Sequence, residues 1–139
     1  MSVGGRAFLD SNLFLYAHDP RDVAKARRSR QVIEEARRER RGVISTQVMQ
    51  EFYSVATRKL GMDPLAAKDS LRAMQALDVV NVHPATVFDA IDCAVTDGLA
   101  FWDALIVATA AAAGCSWILS EDLQHGRQIR GMSIRNPFA

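Results

Sequence analysis

The chain has 139 residues, 49% of them apolar and 24% charged, with a formal net charge of +1. These are the proportions of one ordinary globular domain, long enough to bury a sizeable core. No apolar run approaches the roughly 18 residues that span a bilayer, the opening Met-Ser-Val-Gly-Gly-Arg carries no signal-peptide core, and Cys93 and Cys115 are too far apart for a CxxC motif, which argues for a cytoplasmic protein with reduced thiols and no membrane association.

In chain order, Arg6 to Asp10 reads as a short buried strand closed by Asp10-Ser11-Asn12, three helix-initiating residues. Leu13 to Ala17 begins a helix that Asp19-Pro20 breaks. An amphipathic helix runs from about Asp22 to Arg40, with Ala26, Val32, Ile33 and Ala36 facing inward and Gly42 as its stop. Val43-Ile44-Ser45 is a second strand, and Thr46 caps a helix reaching Leu60 before Gly61. Pro64 opens a helix to about Leu77, and Val79 to Val82 is a third strand. Pro84 to Asp97 is helical, Gly98 turns the chain, and Trp102 to Ala113 forms a helix apolar on nearly every face, expected to be deeply buried. Trp117-Ile118-Leu119 is a fourth strand and Met132 to Ile134 a weak last one. Strands alternating with helices in a single domain imply an α/β fold, with a mostly parallel sheet of four to five strands and helices on both faces.

Four carboxylates stand where strands end or helices turn inward: Asp10, Glu51, Asp103 and Asp122. Parallel α/β folds gather such places at one sheet edge. Asp10 is also a natural helix cap. Glu51 lies about 40° from Val55 and about 60° from Val48 around its helix, flanking the apolar stripe. Asp103 opens the most hydrophobic helix of the chain. The helix dipole contributes only about 0.3–1 kcal/mol to a carboxylate there, against a desolvation penalty of several kcal/mol. A bound cation would make up the difference. Asp122 follows the fourth strand, with Glu121 as its competitor. Hard oxygen donors select Mg2+ or Mn2+. His18, His83 and His125 show no ligand spacing, and there is no P-loop or GxGxxG.

Charge is unevenly spread. Residues 1–61 carry twelve basic and seven acidic side chains, and residues 62–139 five and nine. Arg27, Arg28, Arg30, Arg37 and Arg38 form a stripe that either neutralises phosphates of a nucleic acid or is a solvated helix face.

Four blocks, Phe8-Leu9-Asp10-Ser11-Asn12-Leu13, Ser45-Thr46-Gln47-Val48-Met49-Gln50-Glu51-Phe52, Phe101-Trp102-Asp103-Ala104-Leu105-Ile106 and Leu119-Ser120-Glu121-Asp122-Leu123, occur in order over nearly the whole chain. With them the sequence resembles the PIN-domain ribonucleases, specifically VapC-type toxins of bacterial toxin–antitoxin pairs. Ser11 stands where many members have Thr, and Asp122 falls at the family's most variable acidic position. The resemblance implies a three-layer PIN fold and Mg2+- or Mn2+-dependent endonucleolytic cleavage of RNA, leaving a 5′-phosphate and a 3′-hydroxyl. It assigns Asp10 and Asp103 as metal ligands, Glu51 and Asp122 as completing the acidic pocket, and Asn12 and Ser120 as residues that orient carboxylates or water. It also implies a protein antitoxin and a homodimer. On the Thr46–Leu60 helix, Met49, Tyr53 and Leu60 widen the apolar arc to about 160°, which suits either such a partner or two neighbours within the domain. The alternatives are a PIN fold kept as an inactive binding module and a PIN nuclease that is not a toxin. A phosphorelay receiver or haloacid-dehalogenase phosphatase is disfavoured, because Lys25, Lys59 and Lys68 leave no lysine near a late strand end.

Overall fold

A computed structural model of the chain describes residues 4–139; the expected lead-in to the first strand falls partly on residues 1–3, outside the described residues. The short apolar segments assemble into one six-stranded sheet. It comprises β1 (Arg6–Leu9), β2 (Gly42–Ser45), β3 (Asp78–Val80), β4 (Cys115–Leu119), β5 (Gln128–Ile129) and β6 (Met132–Arg135), in the order β3-β2-β1-β4-β6-β5. All neighbours are parallel except β5, which runs antiparallel to β6. The central strands are buried on both sides: Ala7, Phe8, Leu9, Val43, Ile44 and Ile118 are fully inaccessible. This is why they read as unbroken apolar runs and not as alternating ones.

Six helices connect the strands: α1 (Ser11–Ala17), α2 (Val23–Arg38), α3 (Thr46–Arg58), α4 (Pro64–Met74), α5 (Pro84–Asp97) and α6 (Phe101–Ala112). The chain steps from β1 to β2 to β3 in one direction, then crosses back over β1 to β4. Right-handed crossovers therefore put α1–α4 on one face and α5–α6 on the other. The packing follows suit, with α1 against α2 and α3, α3 against α4, and α5 against α6. In α6 seven successive residues, Ala104 to Ala110, are buried, as its all-round apolarity requires, while Trp102 at its start is 65% exposed. α3 lies between α1 and α4, which covers part of its wide apolar arc. Met49 packs against the core, Leu60 is half-buried and Tyr53 is exposed.

Several expected boundaries shift for local reasons. Gly42 is not a helix stop but the buried first residue of β2. A Cβ there would lie 2.7 Å from Leu77 Cδ2 and 3.1 Å from Ala36 Cβ. The chain leaves α2 through Arg40, which adopts a left-handed φ of 56°. Ser45, not Thr46, caps α3, its hydroxyl accepting from Val48 N. α4 ends at Met74 rather than Leu77. β3 ends at Val80, and Val82 packs instead against the Ala90–Leu105–Ala108 cluster between α5 and α6. The sixth strand, β5, comes from a tight hairpin whose two central residues, Arg130 and Gly131, have φ of 50° and 79°. Such a turn needs positive φ twice and is usually signalled by Asn-Gly or Asp-Gly. Arg-Gly hides it.

Candidate functional site

β1 and β4 are neighbours, but the chain leaves β1 toward β2 and leaves β4 toward β6. Their carboxyl ends thus flank the point where the strand order reverses, where open α/β sheets form a crevice. Leu9 pairs with Leu119, and one residue further on Asp10 N still donates to Leu119 O at 3.0 Å and Ser120 N to Arg135 O at 3.1 Å. Asp10 and Ser120 are therefore held level at this edge.

Asp10 is 4% exposed and caps α1. Its Oδ1 accepts from Ser11 N at 2.7 Å and its Oδ2 from the Ser120 hydroxyl at 2.7 Å. Burial is the largest influence on its carboxyl and pushes the pKa up to about 6. The two hydrogen bonds oppose that rise, and the charges of Glu51 and Asp122 add to it. Ser120 Oγ, itself fully buried, also accepts from Asp122 N at 3.1 Å, and Asn12 Nδ2 lies 3.4 Å from it and 3.3 Å from Asp122 Oδ2. Asn12 and Ser120 thus bridge Asp10 to Asp122.

Glu51 enters from α3. Its Oε2 accepts from the Ser11 hydroxyl at 2.9 Å and its Oε1 from Gln47 Nε2 at 2.7 Å. Asp103 lies in the first turn of α6, half-buried, with no hydrogen bond to its carboxylate among the described residues. Burial raises its pKa, and the charges of Asp122 and Glu51 raise it further. The four acids predicted from sequence are thus one electrostatically coupled group, contributed from both faces of the sheet. Glu121, the competitor of Asp122, turns away and pairs with Lys25 and Tyr16.

Two site residues had no assigned part in the sequence reading. Gln47 is buried and holds Glu51 from one helical turn away, an i,i+4 pair whose spacing was the available signal. The Ser11 hydroxyl joins Glu51 to the Asp10 turn, which the kept hydroxyl at that position foreshadowed.

Whether these residues suit a divalent cation rests on their donors. All are hard oxygens, and no ion pair among the described residues involves any of the four acids. Asn12 Oδ1 is buried with no partner among the described residues, an unsatisfied acceptor on a residue that bonds to Asp122. No three His, Cys, Asp or Glu side chains among the described residues come together closely enough to hold a metal ion as they stand. Four uncompensated negative charges repel one another, and the group fits Mg2+ or Mn2+ by donor chemistry.

The basic stripe divides. At 100° per residue, Arg27 and Arg38 share one direction of α2, Arg30 and Arg37 a second, and Arg28 a third. Arg28 Nε donates to Pro137 O, Arg30 Nη1 to Ala17 O, and Arg37 pairs with Glu34. Arg30 and Arg37 also line an apolar groove of about 390 Å3 between α1, α2 and α4, with Phe14, Ile33 and Met74. All five arginines are exposed, Arg27 and Arg38 without a hydrogen bond or ion pair among the described residues. Among the described residues, no single helix is long and apolar enough to cross a membrane.

The chain is similar in fold to bacterial toxin–antitoxin proteins. A toxin–antitoxin complex from Klebsiella pneumoniae superposes with a TM-score of 0.72 at 18% identity, covering 94% of this chain and 97% of that one. VapBC2 from Rickettsia felis, bound to a DNA fragment from its promoter, gives 0.66 at 17% identity over 94% and 97%. VapC20 of Mycobacterium tuberculosis, a toxin that cleaves the sarcin–ricin loop, gives 0.65 at 17% identity over 81% and 86%. No curated protein sequence matches at a significant level. The PIN-domain profile matches residues 7–128, which include all four acids and both bridging residues, and the chain belongs to the PIN-domain family.

Proposed function

We propose that this protein is a metal-dependent endoribonuclease toxin of the VapC type, restrained by a protein antitoxin and acting as a homodimer in the cytoplasm. The observation that carries the reading is the coupling of four carboxylates, without a cationic partner, at the switch point of a PIN sheet. Fold likeness to proteins described as toxin–antitoxin complexes supports the toxin and antitoxin parts.

In this reading Asp10 and Asp103 hold Mg2+ or Mn2+, and Glu51 and Asp122 complete the pocket. A bound ion would lower the pKa of its water and offset charge on the scissile phosphate. The chain's own residues do the rest. Ser11 N and Ser120 Oγ fix both oxygens of Asp10, so the carboxylate that would hold the ion is already oriented. Ser11 Oγ and Gln47 do the same for Glu51. Asn12 keeps Asp122 near Asp10 despite their like charge. Asp103, which has no such ties among the described residues, would be the ligand with most freedom to orient toward a bound ion.

The test is cleavage of a mixed RNA pool with Mn2+, Mg2+ or EDTA. Cleavage should require the metal. Asp10→Ala and Asp103→Ala should each lose more than the roughly 10–100-fold typical of removing an outer partner of a metal ligand, with Asp122→Ala losing less. Metal-independent cleavage would sink the mechanism. RNA binding without cleavage by the parent protein would leave a PIN-fold binding module.

A further inference from the structure

We propose that Lys25 and Tyr16, acting through Glu121, are positioning residues for the acidic site, a role that rests on reading that site as a metal-dependent nuclease. The Ser120–Glu121–Asp122 segment carries two site residues in a bend outside regular secondary structure. On one side the bend is pinned by Ser120, which donates to Asp10 and accepts from Asp122 N. On the other side Glu121 receives the Lys25 ammonium and the Tyr16 hydroxyl. Lys25 is itself fixed. Its Nζ lies 4.5 Å from the Tyr16 ring centroid and 5.3 Å from that of Phe138, and those rings meet edge-on with centroids 5.3 Å apart.

Glu121 bonds to Tyr16 on α1 and Lys25 on α2, while the residues on either side of it, Ser120 and Asp122, bond to Asp10 and Asn12. Anchoring Glu121 therefore restrains the short segment that carries both site residues. Asp122 needs this help: it is exposed, and among the described residues its carboxylate receives only the 3.3 Å contact from Asn12. The ammonium also neutralises a fifth carboxylate one residue from the cluster, so Glu121 neither adds to the repulsion nor competes for the cation. Lys25 thus tunes the site without touching it, as outer partners of metal ligands do.

The test measures Mn2+ binding by calorimetry together with kcat and KM for RNA cleavage in the parent, Lys25→Met, Lys25→Arg, Tyr16→Phe and the Lys25→Met/Glu121→Gln double variant. Lys25→Met should weaken Mn2+ binding and lower kcat by roughly 10-fold, with KM within about two-fold of the parent. Lys25→Arg should regain most of both, and Tyr16→Phe should lose less in the same direction. The double variant should be no worse than Lys25→Met, since both act through one contact. Parent-like Mn2+ affinity and kcat in Lys25→Met would overturn the proposal, as would additive losses in the double variant. If Lys25→Met fails to fold, Tyr16→Phe decides, and parent-like values there overturn it. A parent that cleaves no RNA, with Mn2+ binding still weakened by Lys25→Met, would reject the nuclease reading while supporting this one.

Discussion

Asp10 has two partners, yet its carboxyl stays near a pKa of about 6, because burial outweighs both hydrogen bonds. The folded value lies above the ordinary 3.8, so between about pH 4 and 6 the folded chain holds more protons than the unfolded one. The stabilisation from the neutral carboxyl is therefore full below about pH 4 and lost as pH rises through about 6. At about 1.4 kcal/mol per pH unit this amounts to about 2–3 kcal/mol. Asp10→Asn keeps the shape and the acceptor for Ser11 N, reverses the hydrogen bond with Ser120 Oγ, and removes the titration. In EDTA at pH 7 it should be more stable than the parent by about 2 kcal/mol, an advantage that vanishes below about pH 4. Urea titrations at the two pH values measure this, and equal stabilities at pH 7 would show that burial of Asp10 is not the dominant influence. Added Mg2+ or Mn2+ should reverse the order, because only the parent gains a ligand that binds the folded state.

Arg40 and Gly42, two residues apart, have the roles that a sequence reading would exchange. The left-handed position after α2 falls on Arg40, while Gly42 stays in β2 because Leu77 and Ala36 close over it. Arg40→Gly should stabilise the fold by up to about 1 kcal/mol, since a side chain at positive φ costs about 1–2 kcal/mol, less the extra freedom glycine gives the unfolded chain. Gly42→Ala should destabilise it, the added methyl meeting Leu77 at 2.7 Å. Chemical denaturation of the two variants checks both signs. The same contrast marks what was legible. Asp10, Asp103 and Asp122 could be read because each stands at the end of an apolar strand or the start of an apolar helix, Glu51 because it flanks the apolar stripe of its helix, and the alternation of periods placed these elements at one sheet edge. Glu121 could be separated from Asp122 only by its partner Lys25, which lies 96 residues earlier, a contact that no local pattern encodes. The β5–β6 hairpin was hidden because Arg130 occupies a position where asparagine or aspartate would have announced it.

Residues 11–74, which span α1–α4, carry thirteen basic and eight acidic side chains, whereas residues 84–112, which span α5–α6, carry four acidic and no basic ones, and the sheet separates the two groups. A polyanion approaching the carboxylate edge is attracted toward the α1–α4 side and repelled by the α5–α6 side. On α2, however, the arginines are not equivalent. Lys25, at its start, touches Glu121 at the site edge, and at 1.5 Å per residue Arg37 and Arg38 lie about 20 Å farther along. Arg30 and Arg37 are exposed as well but border the apolar groove and already have partners, whereas Arg27 and Arg38 face solvent with no hydrogen bond or ion pair among the described residues. If the stripe guides RNA, the solvent-facing pair does so. Reversing both Arg27 and Arg38 to Glu should weaken binding across RNA sequences and reduce the slope of log affinity against log salt by about 1.4, the value for two single-strand phosphate contacts. Reversing Arg30 and Arg37 should leave that slope near the parent value. Mn2+ binding should survive the Arg27/Arg38 reversal, because neither residue is among the groups that bond to or shift the four acids. An unchanged slope in the Arg27/Arg38 variant with Mn2+ binding intact would reduce the stripe to a solvated helix face.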